Sequence, residues 1–379
     1  MDLLKPVEKQ NRIEVVDALR GLALLGILLA NVPYAENTYP GSDRTLNFLF
    51  HILIDKKFTT IFSILFGFGF FIQLKRAEEA GINFTSHYFK RMLILLVIGC
   101  IHAYLFWFGD IIRNYAICGM ALLIVYKWSS KKILITGIIF SVFLTATTFI
   151  ANSAIGIQYS YDTSIVKDHP LADSYLRYLW INARIDPFVN FIQDSPITMV
   201  FCFGNMLLGF WMARSGFFQQ LSKFSSLRKK LIIIGLLSGL TASYAFWLVT
   251  NGKLELTFTL LWLPYLIVAG MLLQSLFYIS AFMSLYQTGW AKKALSIFAF
   301  VGKMSLTNYL LQTVFCLLVF FHWTNGFKLF GKITLTQTYL FAILFFAIQI
   351  MISRLWLKYK DQGPIEATWK NLSYKSSNH

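Results

Sequence analysis

Four stretches of the chain carry side chains that could hold charge, move a proton or grip a polar ligand inside otherwise apolar segments. In RIEVVDALRGLALLGILLAN (12–31), Asp17 and Arg20 stand three apart. On a helix they share a face and can pair. Charge at the mouth of a membrane helix is costly unless it faces protein or water, so the pair marks a candidate working site. Arg20, fixed by Asp17, suits an anionic group such as a phosphate through its planar fork. The plain alternative has Arg20 snorkelling to the interface and Asp17 capping the helix. His102 lies within IHAYLFWFGDIIR. An imidazole suits a general base toward a hydroxyl or amine, and the alternative is a histidine that bonds a neighbouring helix. Asp110 follows eight residues on, with Arg113 beyond it. On a continuous helix Asp110 lies on nearly the same side as His102, two turns along and too far to touch it. Its expected part is to shape an outer cavity, paired with Arg113. His51, near Asp55, is the competing base. In FVGKMSLTNYLLQTVF (300–315), Ser305, Thr307, Asn308, Tyr309 and Gln312 crowd two turns. Asn308 and Gln312 share a face that must point into a bundle. Asn308, Tyr309 and Gln312 can bind a donor's amides or glue helices together.

The elements that hold these residues are set by composition. The 379 residues are 56% hydrophobic and 14% charged, and mean hydropathy is +0.58. A soluble chain carries about 25% charged residues, so the class is an all-α, polytopic transmembrane bundle. Ten spans are expected, at 16–34, 58–74, 92–109, 113–128, 133–151, 197–214, 231–249, 257–278, 304–322 and 334–354, in a single integral membrane domain (1–379). Most of the 34 Lys and Arg fall in one set of loops, which places both termini in the cytoplasm. The net charge of +16 is therefore topological and does not point to nucleic acid. The first helix reads as a retained span, with no cleavage site after it. Segment 44–56 is too short to span and is expected to be re-entrant or interfacial.

The remaining stretches are connectors. The outer loop 152–196 carries Asp162, Asp168, His169, Asp173, Arg177, Arg184, Asp186 and Asp194. Its LADSYLRYLWINARI portion is expected to form an amphipathic helix on the membrane, either a lid over an outward cavity or an ordinary connector. His169 is expected to be exposed. The tail (355–379) breaks at Gly363-Pro364, and Glu366 with Lys370 is expected to support a short helix on the cytoplasmic face. Cys100, Cys118, Cys202 and Cys316 lack disulfide or zinc spacing, so no metal is expected. A Gly-rich phosphate loop, HExxH and GxSxG are all missing, which leaves nucleotidase, zinc protease and serine hydrolase readings without support.

Several motifs carry a resemblance: DALRGLALLGILLAN (17–31), FSILFGFG (62–69), GCIHAYLFWFGDI (99–111) with Tyr115, GKMSLTNYLLQT (302–313) and GPIEATWK (363–370). They run the length of the chain in order, and the sequence resembles the bacterial YeiB-like membrane proteins, a "domain of unknown function 418" family. Lys303 and Lys370 keep charge where that family usually has Arg. The resemblance implies a multi-pass bacterial inner-membrane protein. It also implies distant kinship with transmembrane acyltransferases, including the acyltransferase-three proteins and heparan-α-glucosaminide N-acetyltransferase, which share the D-x-L-R-G opening. Asn31 stands in the region where the acyltransferase-three pattern has a His. The expected function is transfer of an acyl group from a cytoplasmic donor to an extracytoplasmic, cell-surface acceptor. Acyl-CoA would be co-substrate rather than bound cofactor, and a homo-oligomer is compatible with this. His102 would be the base, with His51 its rival. A transporter or flippase lined by the same residues is the other class, weakened because no internal repeat is visible.

Overall fold

A computed structural model describes residues 13–33, 41–154, 169–185, 195–220, 222–256 and 258–374. The expectations for Asp162, Asp168, Asp186 and Asp194 lie outside the described residues. Among these described residues sixteen α-helices follow in order: α1 (Glu14–Asn31), α2 (Gly41–Leu53), α3 (Lys57–Glu79), α4 (Phe84–Leu105), α5 (Ile112–Val125), α6 (Ser130–Ile138), α7 (Thr145–Ala154), α8 (Tyr175–Ile185), α9 (Ser195–Ser215), α10 (Ser225–Thr250), α11 (Leu263–Leu285), α12 (Gly289–Leu295), α13 (Phe298–Lys303), α14 (Ser305–Phe320), α15 (Leu335–Trp356) and α16 (Pro364–Tyr374). A π-helical stretch, Ile139–Leu144, fuses α6 to α7. No strand occurs among the described residues. In apolar surroundings only helices and closed barrels satisfy their own backbone.

Among the described residues, seven helical runs are long and apolar enough to cross a membrane. A helix underlies each of the ten stretches read from the sequence. The other three are α1, which carries Glu14, Asp17 and Arg20, and the shorter apolar helices α5 and α14. Segment 44–56 falls on α2 and on a three-residue break before α3, where Lys56 adopts φ 64°.

Close packing runs through small residues, as it must where lipid is as apolar as the side chains. A Cβ on Gly302 of α13 would lie 1.8 Å from the Asp17 carbonyl of α1, and one on Gly21 would lie 1.9 Å from the Phe298 carbonyl. The two motif glycines therefore face each other across a backbone-to-backbone crossing. Gly67 of α3 and Gly209 of α9 do the same. Two helix starts are capped by carboxylates from distant sequence. Asp43 accepts from the Leu335 and Thr336 amides at 2.8 and 3.2 Å and so caps α15. Glu366 accepts from the Leu306 and Thr307 amides at 2.7 and 3.1 Å and so caps α14. Helix starts leave backbone N–H groups without intrahelical partners, and a carboxylate satisfies them while favouring the helix dipole. Glu366 thus engages α14 rather than Lys370, which corrects the expected i, i+4 pair.

Candidate functional site

Asp17 is buried, and its Oδ1 lies 3.2 Å from Arg20 Nη1. Arg20 Nη2 also donates to the Leu65 carbonyl at 3.4 Å. A Cβ on Gly69 would stand 3.2 Å from this nitrogen, so the glycine leaves room for the guanidinium. The rest of Arg20 reaches into a cavity of about 310 Å³ beside α16. Arg91, Lys303 and Lys370 line the same cavity, with Gln73, Trp369 and Tyr309. Arg91 lies over the Trp369 ring at 4.4 Å, and the Trp369 indole donates to the Arg91 carbonyl at 2.8 Å. The one acid in the lining, Glu366, is committed to the α14 cap. The lining thus combines four basic side chains with an apolar set that includes Leu24, Phe66 and Ile112.

His102 and Asp110 meet, contrary to the expectation from a continuous helix. The helix α4 stops at Leu105, and the amides of Phe106 and Trp107 both bond the His102 carbonyl. The chain then doubles back, and Asp110 Oδ1 lies 2.8 Å from His102 Nδ1. The other oxygen, Oδ2, accepts from the Arg113 amide at 2.9 Å and caps the first turn of α5. Arg113 Nε stands 3.7 Å from the same oxygen, so the expected pair with Asp110 is present. All three side chains are buried. Gly99 makes the turn fit: a Cβ there would lie 2.8 Å from the Arg113 nitrogen and 3.1 Å from Asp110 Oδ2. His102 Nε2 lies 2.9 Å from Thr313 Oγ1 of α14. A carboxylate on Nδ1 fixes the tautomer that carries the proton there and leaves Nε2 basic.

His102 does not line the large cavity. The Tyr309 ring stands between, with its centroid 5.4 Å from that of His102. Tyr309 also borders a second hollow of about 10 Å³, lined with Asn31, Trp107, Gln312, Thr313 and Cys316. That is room for about one water. Tyr309 is therefore a wall shared by a large basic cavity and a small one. Asn308 lines neither; its amide donates to the Met304 carbonyl and to Ser353 Oγ, both at 3.0 Å. Gln312 Nε2 donates to Gln349 Oε1 at 3.2 Å and to the Leu24 carbonyl at 3.3 Å, joining α14 to α15 and α1. His51 lies elsewhere, against Asp55 at 3.4 Å, and its carbonyl accepts from buried Lys57 at 2.7 Å.

The outer helix α8 closes the end of α4. Tyr175, Tyr178 and Asn182 donate to the carbonyls of Leu105, Phe106 and Tyr104, at the end of that helix and the residue that follows it. His169 is buried there, not exposed as expected. Its Nε2 donates to Asn182 Oδ1 at 2.7 Å, and the aromatic rings of Phe108, Tyr178 and Phe321 surround it. Burial holds its pKa down to about 4. Sequence reading gave no role to Arg91, Trp369 or Thr313. The one signal for Thr313 was its place one turn beyond Tyr309 on the polar face of the 302–313 motif.

Fold and site together define a multi-pass helical membrane protein built around buried charge. Comparison with known proteins then carries the likeness further. Residues 212–376 match the family model described as "Protein of unknown function (DUF418)", and residues 12–183 match that of "Heparan-alpha-glucosaminide N-acetyltransferase, catalytic". The protein YxaH of Bacillus subtilis is 29% identical, covering 99% of this chain and 98% of its own. The 39.9 kDa protein of the amylase 3′ region of Bacillus acidopullulyticus is 29% identical over 98% and 96%. The protein YeiB of Escherichia coli is 27% identical over 96% of each. All three are called uncharacterized. The resemblance to YeiB and its uncharacterized relatives thus runs nearly end to end, while the DUF418 and acetyltransferase models match separate portions of the chain. No solved structure matches.

Proposed function

We propose that the protein is a membrane acyltransferase of the bacterial plasma membrane. Its donor is a cytoplasmic acyl thioester such as acyl-CoA, and its acceptor is a hydroxyl or amine on the far side. The carrying observation is the buried His102–Asp110 pair, next to Tyr309, which also lines a basic cavity. Arg20, Arg91, Lys303 and Lys370 suit the phosphates of such a donor. The apolar lining suits its pantetheine arm, and His102 is the base that relieves the acceptor of its proton. Amino sugars are the first acceptors to try, since the model matching residues 12–183 is named for a glucosaminide N-acetyltransferase. In this reading the chain crosses ten times, counting α1, α5 and α14 with the seven longer runs. Both termini are cytoplasmic, as the loop charges require, so the large cavity opens inward.

Purified protein in nanodiscs, given acetyl-CoA labelled in the acyl group and glucosamine, should form labelled amide. His102→Ala should abolish it, and Asp110→Asn should slow it about 100-fold or more. Transfer unaffected by His102→Ala would sink the reading. The shared Tyr309 wall also fits a transporter with alternating access to two hollows. Uptake of a solute into vesicles without covalent transfer would favour that class.

A further inference from the structure

We propose that Thr313 itself carries the acyl group between donor and acceptor, as a threonyl ester, with His102 its base and Asp110 the carboxylate that orients the base. The proposal rests on the acyltransferase reading. Thr313 Oγ1 lies 2.9 Å from His102 Nε2, and His102 Nδ1 lies 2.8 Å from Asp110 Oδ1. Hydroxyl, imidazole and carboxylate thus stand in the order that acyl transfer reuses on unrelated folds.

The hydroxyl's other commitments separate this from ordinary helix packing. Threonine within a helix commonly donates to the carbonyl four residues back. Thr60, Thr147 and Thr241 do so here. Thr313 does not: among the described residues its hydroxyl has one hydrogen bond, to His102. Asp110 holds the proton on Nδ1, so Nε2 accepts and the Thr313 proton points at the base. The small hollow bordered by Thr313 also holds an unmatched acceptor. Gln312 Oε1 in its wall is buried and has no donor among the described residues. An orphaned buried oxygen costs free energy, and an incoming N–H or O–H would satisfy it.

The chemistry balances without a further reactant. Thr313 Oγ bonds the thioester carbonyl carbon while its proton passes to His102 Nε2. The tetrahedral intermediate then collapses, the C–S bond breaks, and the sulfur leaves with that proton as a thiol. The acceptor next gives its proton to His102 and bonds the same carbon. The C–Oγ bond breaks, and Thr313 recovers its proton from His102.

The full chain in nanodiscs, given acetyl-CoA or octanoyl-CoA labelled in the acyl group and no acceptor, would be mapped by peptide mass spectrometry. Label on Thr313, removed by alkali or hydroxylamine, retained by Thr313→Ser and lost in Thr313→Val and His102→Ala, is the expected result. Label on the His102 imidazole, or wild-type transfer to glucosamine by Thr313→Val, overturns the threonyl ester and leaves the acyltransferase reading standing. Neither label nor transfer from either donor overturns both. If Thr313→Val does not fold, peptide mapping of the wild type and of Thr313→Ser decides.

Discussion

Asp110 is one carboxylate with two duties, and each oxygen has its own. Oδ1 orients His102, while Oδ2 caps α5 through the Arg113 amide. Asp110→Asn presents an N–H₂ where one acceptor stood, so either the cap or the histidine tautomer is lost. Activity should therefore fall further than stability does, a split visible by comparing transfer rate with thermal unfolding in detergent. Gly302 is a second sharp test. An alanine methyl would fall 1.8 Å from the Asp17 carbonyl, and overpacking of this kind costs about 1–3 kcal/mol or more. Gly302→Ala should lower the unfolding temperature and displace the Asp17–Arg20 pair with it. Some of this was legible beforehand. Asp17 with Arg20 and Asp110 with Arg113 are local, three apart; helix geometry brings the first pair together, and a carboxylate just before α5 brings the second. The meeting of His102 with Asp110 was not legible, because it depends on α4 ending three residues after His102, in a run, AYLFWF, that carries no proline to announce the break. Thr313 is 211 residues from His102, and nothing in a single sequence measures that approach.

Helix starts are where distant segments report to the site. Glu366 of α16 caps α14, the helix that bears Tyr309 and Thr313. Glu366→Ala removes a capping acceptor worth about 0.5–2 kcal/mol and frees α16 from the cavity wall. Proteolysis within 357–363 should become faster, and Glu366→Gln should be milder. The outer helix α8 is tied down by buried His169. In the unfolded chain a histidine takes up a proton near pH 6.5; His169 does so only near 4, because its ring is desolvated. Between those values the unfolded state binds more protons, so this contribution to stability is whole above pH 6.5 and is lost as pH falls toward 4. Hydrogen exchange of the α8 amides should quicken across that window, and His169→Gln should flatten the dependence. The amphipathic pattern of 171–185 was enough to find this helix. Its hold on the end of α4 through Tyr175, Tyr178 and Asn182 was not, since a capping donor from another segment leaves no local spacing.

At the scale of the molecule, one tyrosine separates two hollows. With Cys100, Cys118 and Cys202 replaced, Cys316 is a native reporter in the smaller one. A maleimide confined to the face beside α16 should leave Cys316 unmodified in the parent and label it in Tyr309→Ala, while Tyr309→Phe stays closed. Equal labelling in all three would mean that the ring is not the barrier. The all-helical class and the seven long apolar runs were readable because such runs declare themselves by apolar length. The two hollows were not, because cavities are made by what helices leave unfilled.

His102 and Asp110 fall in the segment matching one family model, and Tyr309 and Thr313 in the segment matching the other. On the proposed mechanism neither portion holds the whole His102, Asp110 and Thr313 set. A gene cut between them should then yield two inert polypeptides, with transfer returning only when both are made in one cell and re-associate in the bilayer. Besides the His102–Thr313 contact, the Trp369–Arg91, Gln312–Leu24 and Asp43–Leu335 hydrogen bonds would guide that re-association.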